Sequence, residues 1–433
     1  MILFLDNLRG FSNAFLEFND FNILVGENST GKSTVLSILS LLSDLNFNSS
    51  GEFKNKYVEF GPFQEIINRN SKSKESFSIA LTKQHNEDWG QLYDQVYFNY
   101  VERNGFTTVK RFVVKIKDQI LDLTFSEKKI KIVIKENPAT SLDNWLHSLL
   151  NSGNIIREDT VDFPLPLLER LSNSPHSFLF LLTSFVKENL ALELFIQTAP
   201  RFGTLIKDTT WIDPIRSKPK RTYDPTTIEY SAEGEHIPTI LRDIFLSRDQ
   251  HSSKKIIQEL EAFGKSSGLF DKILVDQYRK SIDAPFALLF KLGNKRLKIS
   301  NVGYGISQIL PIIVEVVRER SNSIFLIQQP EVHLHPRSQA YTGQFFFNQF
   351  ASERKRFVIE THSDFIIDRF RMNIRQSSQR DLHKRVNVLF FEHNSQGNIA
   401  TKITLDKNGD YSQEQPKKFR EFFLKEEIKL LGL

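Results

Sequence analysis

The octapeptide GENSTGKS, Gly26–Ser33, constrains this chain more than any other stretch. It matches the pattern G-x-x-x-x-G-K-[ST], whose logic is physical. Glycines let the backbone wrap so that amides point inward at phosphate oxygens. A helix N-terminus behind them adds partial positive charge. The flanks agree with this. The apolar run "FNILVG" leads into the loop, and "KSTVLSILSLLSDL" follows with Val35, Leu36, Ile38, Leu39 and Leu42 at helical spacing. Gly26, Glu27, Asn28, Ser29, Thr30, Gly31, Lys32, Ser33 and Thr34 are therefore candidate nucleotide-binding residues. Lys32 is expected to reach the β- and γ-phosphates, and the Ser33 hydroxyl to ligate magnesium. A plain strand–turn–helix is the alternative, and the strand before and the helix after favour the phosphate-binding reading.

A chain of 433 residues has room for two or three domains around such a loop. About a quarter of it is charged and two-fifths is hydrophobic, the balance of a soluble globular protein. With 0 cysteines it has neither a disulfide framework nor a thiolate metal site, and a reducing cytoplasm is compatible. No signal-peptide pattern opens the chain, and runs such as "FLFLL" at 178–182 are far too short to cross a bilayer. The net charge of +5 permits contact with DNA without demanding it.

Periodicity gives a coarse plan. Residues 77–136 alternate as antiparallel strands, with an Asn104-Gly105 hairpin signal. Residues 140–200 look helical with a "DFPLPL" break at 162–167, and residues 250–280 look helical again. Strand-like segments return near 285–299. From there strand and helix alternate, as in a parallel sheet. The expected organisation is an N-terminal lobe with the phosphate loop (1–75), an inserted strand and helical arm or lid (76–284), and a C-terminal lobe (285–433). The fold class is α/β.

Three further constellations carry chemistry. "ISNVGYGISQILPIIVEVV" at 299–317 sets Gly303 and Gly305 before a helix with Ser307 in its first turn, which is either another anion site or a glycine-rich loop before a core helix. "FLIQQPEVHLHP" at 325–336 ends an apolar strand in Gln328, Gln329, Pro330 and Glu331. "RFVIETHSDFIIDRF" ends a strand in Glu360, Thr361 and His362, where a histidine can donate to a γ-phosphate. His333 and His335 lack a third metal ligand in view and read as structural. "RSKPKR" at 216–221 reads as a phosphate-touching cluster or, more blandly, as a solvated loop.

The order and spacing of these motifs resemble the ABC-type ATPase heads of the RecF, SMC and OLD group, over about residues 1–70 and 285–433. The resemblance implies an ABC-type P-loop head with ATP and Mg2+ as cofactors. Two heads would sandwich ATP, the P-loop of one facing the signature loop of the other. It implies Ser300, Asn301, Gly303, Gly305 and Ser307 as signature residues. "QQPEVHLHP" would be the Walker B segment and His362 the switch histidine, so Gln328, Gln329, Glu331 and His362 are the candidate catalytic residues. Within the group, "EFGPFQEII", "WIDPIRSKPKRTY", "SAEGEHIPTIL" and the tail "FREFFLKEEIKLLGL" look like the ATPases of Septu antiphage systems, the PtuA-like proteins. OLD nucleases add an acidic metal-binding Toprim domain. This chain has no Asp-x-Asp pair, so an ATPase without its own nuclease is expected.

Relatives in this group usually carry an acid at the place of Gln328. Glutamine is isosteric but neutral, whereas magnesium and water activation favour a carboxylate. Ser33 and Gln328 are the candidate metal ligands. Either the protein is a slow or hydrolysis-dead ATPase, or a glutamate was exchanged to trap ATP. Glu331 is a weaker substitute, and Gln328→Glu is expected to restore turnover. The leading functional expectation is a cytoplasmic ATP-driven switch in prokaryotic antiviral defence. It would act as a dimer or larger homo-oligomer that controls a separate effector such as an HNH-type nuclease. A RecF-like DNA repair ATPase and a non-hydrolysing nucleotide-bound scaffold are the alternatives.

Overall fold

A computed structural model describes residues 1–69, 71, 73–83, 89, 94–126, 128–137, 144–162, 205–226, 229–247, 249–279, 281, 284–395, 397–413 and 415–419. The "FLFLL" run, most of the "DFPLPL" break and the "FREFF" tail from residue 420 onward lie outside them. The architecture is mixed α/β. The chain divides into two units, each made of separate segments: residues 1–19, 27–208 and 391–402, and residues 20–26, 209–390 and 403–433.

The first unit is built on an eight-stranded antiparallel sheet. Its strands are β1 (Ile2–Asp6), β2 (Ala14–Glu17), β4 (Ser76–Thr82), β5 (Gln95–Arg103), β6 (Phe106–Ile116), β7 (Gln119–Phe125), β8 (Lys129–Glu136) and β9 (Asn154–Asp162), in the order β2-β1-β4-β5-β6-β7-β8-β9. Short turns dictate this meander. Asn104 and Gly105 both take positive φ, 51° and 81°, as the tight turn between β5 and β6 requires. One hydrophobic cluster joins Phe4, Ala80, Val113 and Ile120 to Trp145 and Leu149 on the helix Trp145–Asn151. Aromatic rings form a second layer: Phe77 stacks on Tyr100 at 5.0 Å, and Phe53 meets Tyr100 edge-on at 5.0 Å. The expected helical stretch from 140 breaks early. Ile155, Ile156, Thr160 and Val161 are β-branched or apolar, and their segment pairs antiparallel with β8.

A six-stranded sheet has the order β10-β14-β15-β3-β16-β17; its first four strands and the start of β16 belong to the second unit, and residues 391–402 of its last two strands to the first. Its strands are β3 (Phe21–Gly26), β10 (Thr209–Ile212), β14 (Ile324–Gln328), β15 (Arg356–Glu360), β16 (Val386–Asn394) and β17 (Gly397–Thr404). β10, β14, β15 and β3 run parallel. They are near-continuous apolar runs, as strands covered on both faces must be. Helices Tyr304–Arg318, Pro336–Glu353 and Asp364–Gln376 supply the crossovers and cover. Phenylalanine fills this core: Phe21 stacks on Phe370 at 4.1 Å, and Phe325 stacks on Phe357 at 5.3 Å.

One expectation for this region is corrected. The helix beginning at Gln250 ends at Ser267, because Gly268 takes φ 75° and caps it; strand β11 (Lys272–Gln277) follows. The segments near 285–299 are β12 (Phe286–Leu292) and β13 (Lys295–Lys298), which pair antiparallel with each other and, through β12, with β11. The two-residue Gly293-Asn294 turn enforces that reversal, so these strands stand outside the parallel sheet.

Candidate functional site

The phosphate loop takes the conformation its sequence demands. Gly26 has φ 139°, Ser29 φ 63° and Gly31 φ 96°. Gly31 is the N-cap of the helix Lys32–Leu42, whose start has no side-chain cap and no acid in its first turn. That end is built for an anion, since the dipole and the first amides are unopposed by a carboxylate. The Thr30 hydroxyl and Lys32 Nζ both donate to the Glu27 carbonyl, at 2.8 and 2.6 Å. Thr30 and Lys32 are buried, while Glu27, Asn28, Ser29 and Ser33 are exposed and Gly31 and Thr34 are half-buried. The back of the loop is braced by two residues that no motif announces. A Cβ on Gly31 would stand 2.5 Å from Phe11 and 2.9 Å from the Asn398 amide. Asn398 is itself held by His393 Nδ1 at 2.9 Å.

The second unit brings the other candidate residues to the C-terminal ends of its parallel strands, the edge where open α/β sheets bind ligands. Gln328 stands in register with Glu360, and Glu360 with Leu24, two residues before the loop begins. Gln328 Nε2 donates to Glu360 Oε2 at 3.3 Å. The main chain then turns sharply at Gln329, φ 42°, whose N–H donates to the Glu360 carbonyl at 2.8 Å. Glu331 is a latch across this turn: Oε2 accepts from the Thr361 hydroxyl at 2.8 Å and Oε1 from the His362 backbone N–H at 2.7 Å. Both Glu331 oxygens are therefore engaged within this turn. The His362 side chain is half-buried beside it. His335 caps the helix Pro336–Glu353 by accepting from Arg337 N–H, a structural task. Among the described residues, no cluster of three or more His, Asp or Glu side chains could hold a metal.

Arg216 is the site residue that sequence reasoning placed wrongly. Its basic cluster reads as phosphate-touching or solvated, but it is 3% exposed and its Nη2 donates to the carbonyls of Gln328 and Gln329 at 2.8 and 3.3 Å. Its Nε and Nη1 have no hydrogen-bond partner among the described residues. Burial pushes its pKa down to about 10, while the neighbouring Glu331 and Asp213 oppose the shift. It stays charged at neutral pH and pins the strained turn. Lys218 and Lys220, from the same cluster, line a cavity of about 210 Å³ with Tyr223, Gly234, Ser307 and Pro311.

The signature candidates divide. Ser300 and Asn301 form a short 3-10 turn, and Ser300 donates to Asn301 Oδ1 at 3.1 Å. Gly303 is exposed, with open space where a Cβ would stand, whereas a Cβ on Gly305 would come within 3.0 Å of the His333 carbonyl. Ser307 is buried, its hydroxyl spent on the Tyr304 carbonyl at 2.7 Å. The "SAEGEHIPTIL" segment docks on this same helix. Gly234 lies against Pro311, where a Cβ would come within 2.5 Å, and His236 Nε2 meets Glu315 Oε1 at 2.7 Å in a fully buried contact.

The model of the AAA ATPase domain matches residues 1–367. This chain belongs to the AAA ATPase domain family. Among solved structures, the chain is similar to the SMC head bound to the C-winged helix domain of ScpA, with 12% identity, 94% of this chain and 98% of that one covered, and a TM-score of 0.45. It is also similar to the SMC head domain from Thermotoga maritima, with 10% identity, 93% and 98% covered, and a TM-score of 0.39. A third is the SMC head with an extended coiled coil bound to the C-terminal domain of ScpA derived from Pyrococcus furiosus, with 12% identity, 99% and 98% covered, and a TM-score of 0.40. No curated protein matches the chain. Among the described residues of this AAA ATPase-domain protein, no helix is long and apolar enough to cross a membrane.

Proposed function

We propose that this AAA ATPase-domain protein binds magnesium-ATP through the Gly26–Thr34 loop and hydrolyses it slowly, as an ABC-type head. The observation that carries this reading is the loop itself: left-handed Gly31 opening an uncapped helix, with Lys32 buried behind it. The Ser33 hydroxyl fits magnesium: it is a hard oxygen donor, and magnesium bound with a phosphate substrate commonly takes only one or two protein ligands. When bound, the ion neutralises charge on the phosphates. Lys32 supplies the fixed positive charge, Arg216 holds the Gln328–Gln329 turn in shape, and His362 is the γ-phosphate donor. A neutral Gln328 makes turnover slow, because positioning and electrostatics supply most phosphoryl-transfer catalysis.

ATP would join two copies through the Ser300–Gly303 turn, where Asn301 and Gly303 are exposed, making nucleotide state a switch on assembly. The defence role, with a separate nuclease effector and DNA as further partners, rests on the resemblance of four sequence segments to Septu-type ATPases. Steady-state phosphate release at saturating magnesium-ATP tests the enzymatic part: slow release that Lys32→Ala removes supports it, and release that survives Lys32→Ala refutes it. Plaque counts on cells carrying the gene with its neighbours test the defence role. Equal phage plating with wild type and Lys32→Ala would contradict it.

A further inference from the structure

Strands β11, β12 and β13 form a three-stranded antiparallel sheet that lies wholly within the second unit. One face of it belongs to the core, where Ile273, Leu288 and Phe290 are buried. The other face carries a row of like charges. In register, Lys272 stands opposite Lys291, and Lys291 opposite Arg296. Directly opposed residues share a face, and neighbouring strands lie about 5 Å apart, so three cations are strung across about 10 Å of sheet. Like charges set opposite one another destabilise a sheet. Among the described residues, none of the three has an ion pair. The next row on this face is Leu274, Leu289 and Lys298, and both leucines are half-buried. Tyr278 continues the ladder, its N–H donating to the Pro285 carbonyl, and it is 51% exposed. Lys298 Nζ donates to the Tyr278 hydroxyl at 2.7 Å, and the Thr222 hydroxyl lies 3.4 Å from the same oxygen. These contacts hold the ring and bring the loop that carries the exposed Lys218, Lys220 and Arg221 to this end of the sheet. Asp276 is the single acid on the face.

We propose that this face binds single-stranded nucleic acid, with backbone phosphates laid across Lys272, Lys291 and Arg296 and a base stacked on Tyr278. The inference goes beyond the ATPase reading and does not depend on it. A polyanion on the row relieves the repulsion among the three cations and releases its own counterions. Charge alone would accept any polyanion; the apolar part of the face discriminates among them. An acidic polypeptide supplies charge but no base to stack on the tyrosine. A duplex supplies phosphates but keeps its base faces stacked inside. An unpaired strand offers both phosphates and open base faces. That is the pairing of cations with exposed aromatic rings by which sheet surfaces hold single strands.

The test is fluorescence anisotropy of labelled single-stranded DNA and RNA of one mixed sequence, titrated with the full chain without ATP over a series of salt concentrations. Wild type should bind, with an affinity that falls as salt rises. The double variant Lys291→Gln with Arg296→Gln should weaken binding about tenfold or more. It should also flatten the plot of log affinity against log salt by about 1.4, because each phosphate contact on a single strand contributes about 0.7 to the slope. The same variant should melt no lower than wild type, since it removes like-charge repulsion. Tyr278→Ala should weaken binding about fivefold or more and leave the slope unchanged, whereas Tyr278→Phe keeps the ring and most of the affinity. The matching duplex should bind more weakly than the single strand, and poly-glutamate at equal charge concentration should not displace it. Wild-type affinity in the double variant, or no binding of either strand by wild type, overturns the surface. Duplex binding as tight as single-strand binding, displacement by poly-glutamate, or unchanged affinity in Tyr278→Ala overturns the assignment of the partner.

Discussion

At Gly31 the phosphate loop can be tested by one methyl group. Its φ of 96° disfavours every residue with a Cβ, and that Cβ would sit 2.5 Å from the Phe11 ring. Left-handed backbone costs about 1–2 kcal/mol for a non-glycine residue, and the clash adds to it. Gly31→Ala should lower stability in urea denaturation by about 2 kcal/mol or more. Phe11→Leu on that background should return the part due to the clash and not the backbone part. Arg216 has a different role. Replacing it with alanine removes its hydrogen bonds to the half-buried Gln328 and Gln329 carbonyls and should cost about 1–3 kcal/mol, whereas Arg216→Lys keeps one donor group and should cost less. The loop was legible in the sequence because its chemistry is local: two glycines, a lysine and a hydroxyl within eight residues. Arg216, Phe11 and Asn398 were not, because their partners are remote. Arg216 reaches a carbonyl 112 residues away, and no short pattern encodes that distance.

At the scale of elements, the helix Asp364–Gln376 begins immediately after His362, so its cap fixes where that histidine stands. Ser363 accepts from the Ile366 N–H at 3.2 Å and donates to Gln339 Oε1 at 2.6 Å, tying this helix to Pro336–Glu353. Ser363→Ala should destabilise by about 1 kcal/mol, measured by thermal or chemical denaturation, with Ser363→Thr costing less. Unchanged stability would mean that the cap does not hold this helix start. Element type was readable where period and turn chemistry agreed. The β5–β6 hairpin and the helix after the loop are examples. It failed where a local signal competed with a partner: residues 154–162 read as helix continuation but pair with β8, and the Gln250 helix stops at Gly268 because only the backbone angle there reveals the cap. The contact between Gln328 and Glu360 was hidden for the same reason. Gln328 and Glu360 become neighbours only through the parallel register of β14 and β15.

For the whole molecule, the account makes nucleotide binding the event on which assembly depends. Ser300, Asn301 and Gly303 lie on an accessible turn before the helix Tyr304–Arg318, with room at Gly303 for an incoming group. Ser300→Arg should therefore leave ATP binding to a single copy intact and abolish ATP-dependent self-association in light scattering. Identical assembly in wild type and variant would remove this turn from the interface. The α/β class was legible from the alternation of apolar strand and helix, while the partition into two units of discontinuous segments was not. The order of the motifs did point to a domain made from both ends of the chain, as in the pairing of β3 with β15, where Asn22 bonds the Phe357 carbonyl 335 residues away. The central claim is that the Gly26–Thr34 loop binds ATP, and direct calorimetric titration of magnesium-ATP into wild type and Lys32→Ala tests it. Saturable one-to-one binding by wild type, lost in a Lys32→Ala protein that melts at the same temperature, is the predicted result. Equal affinity in the two proteins would contradict it.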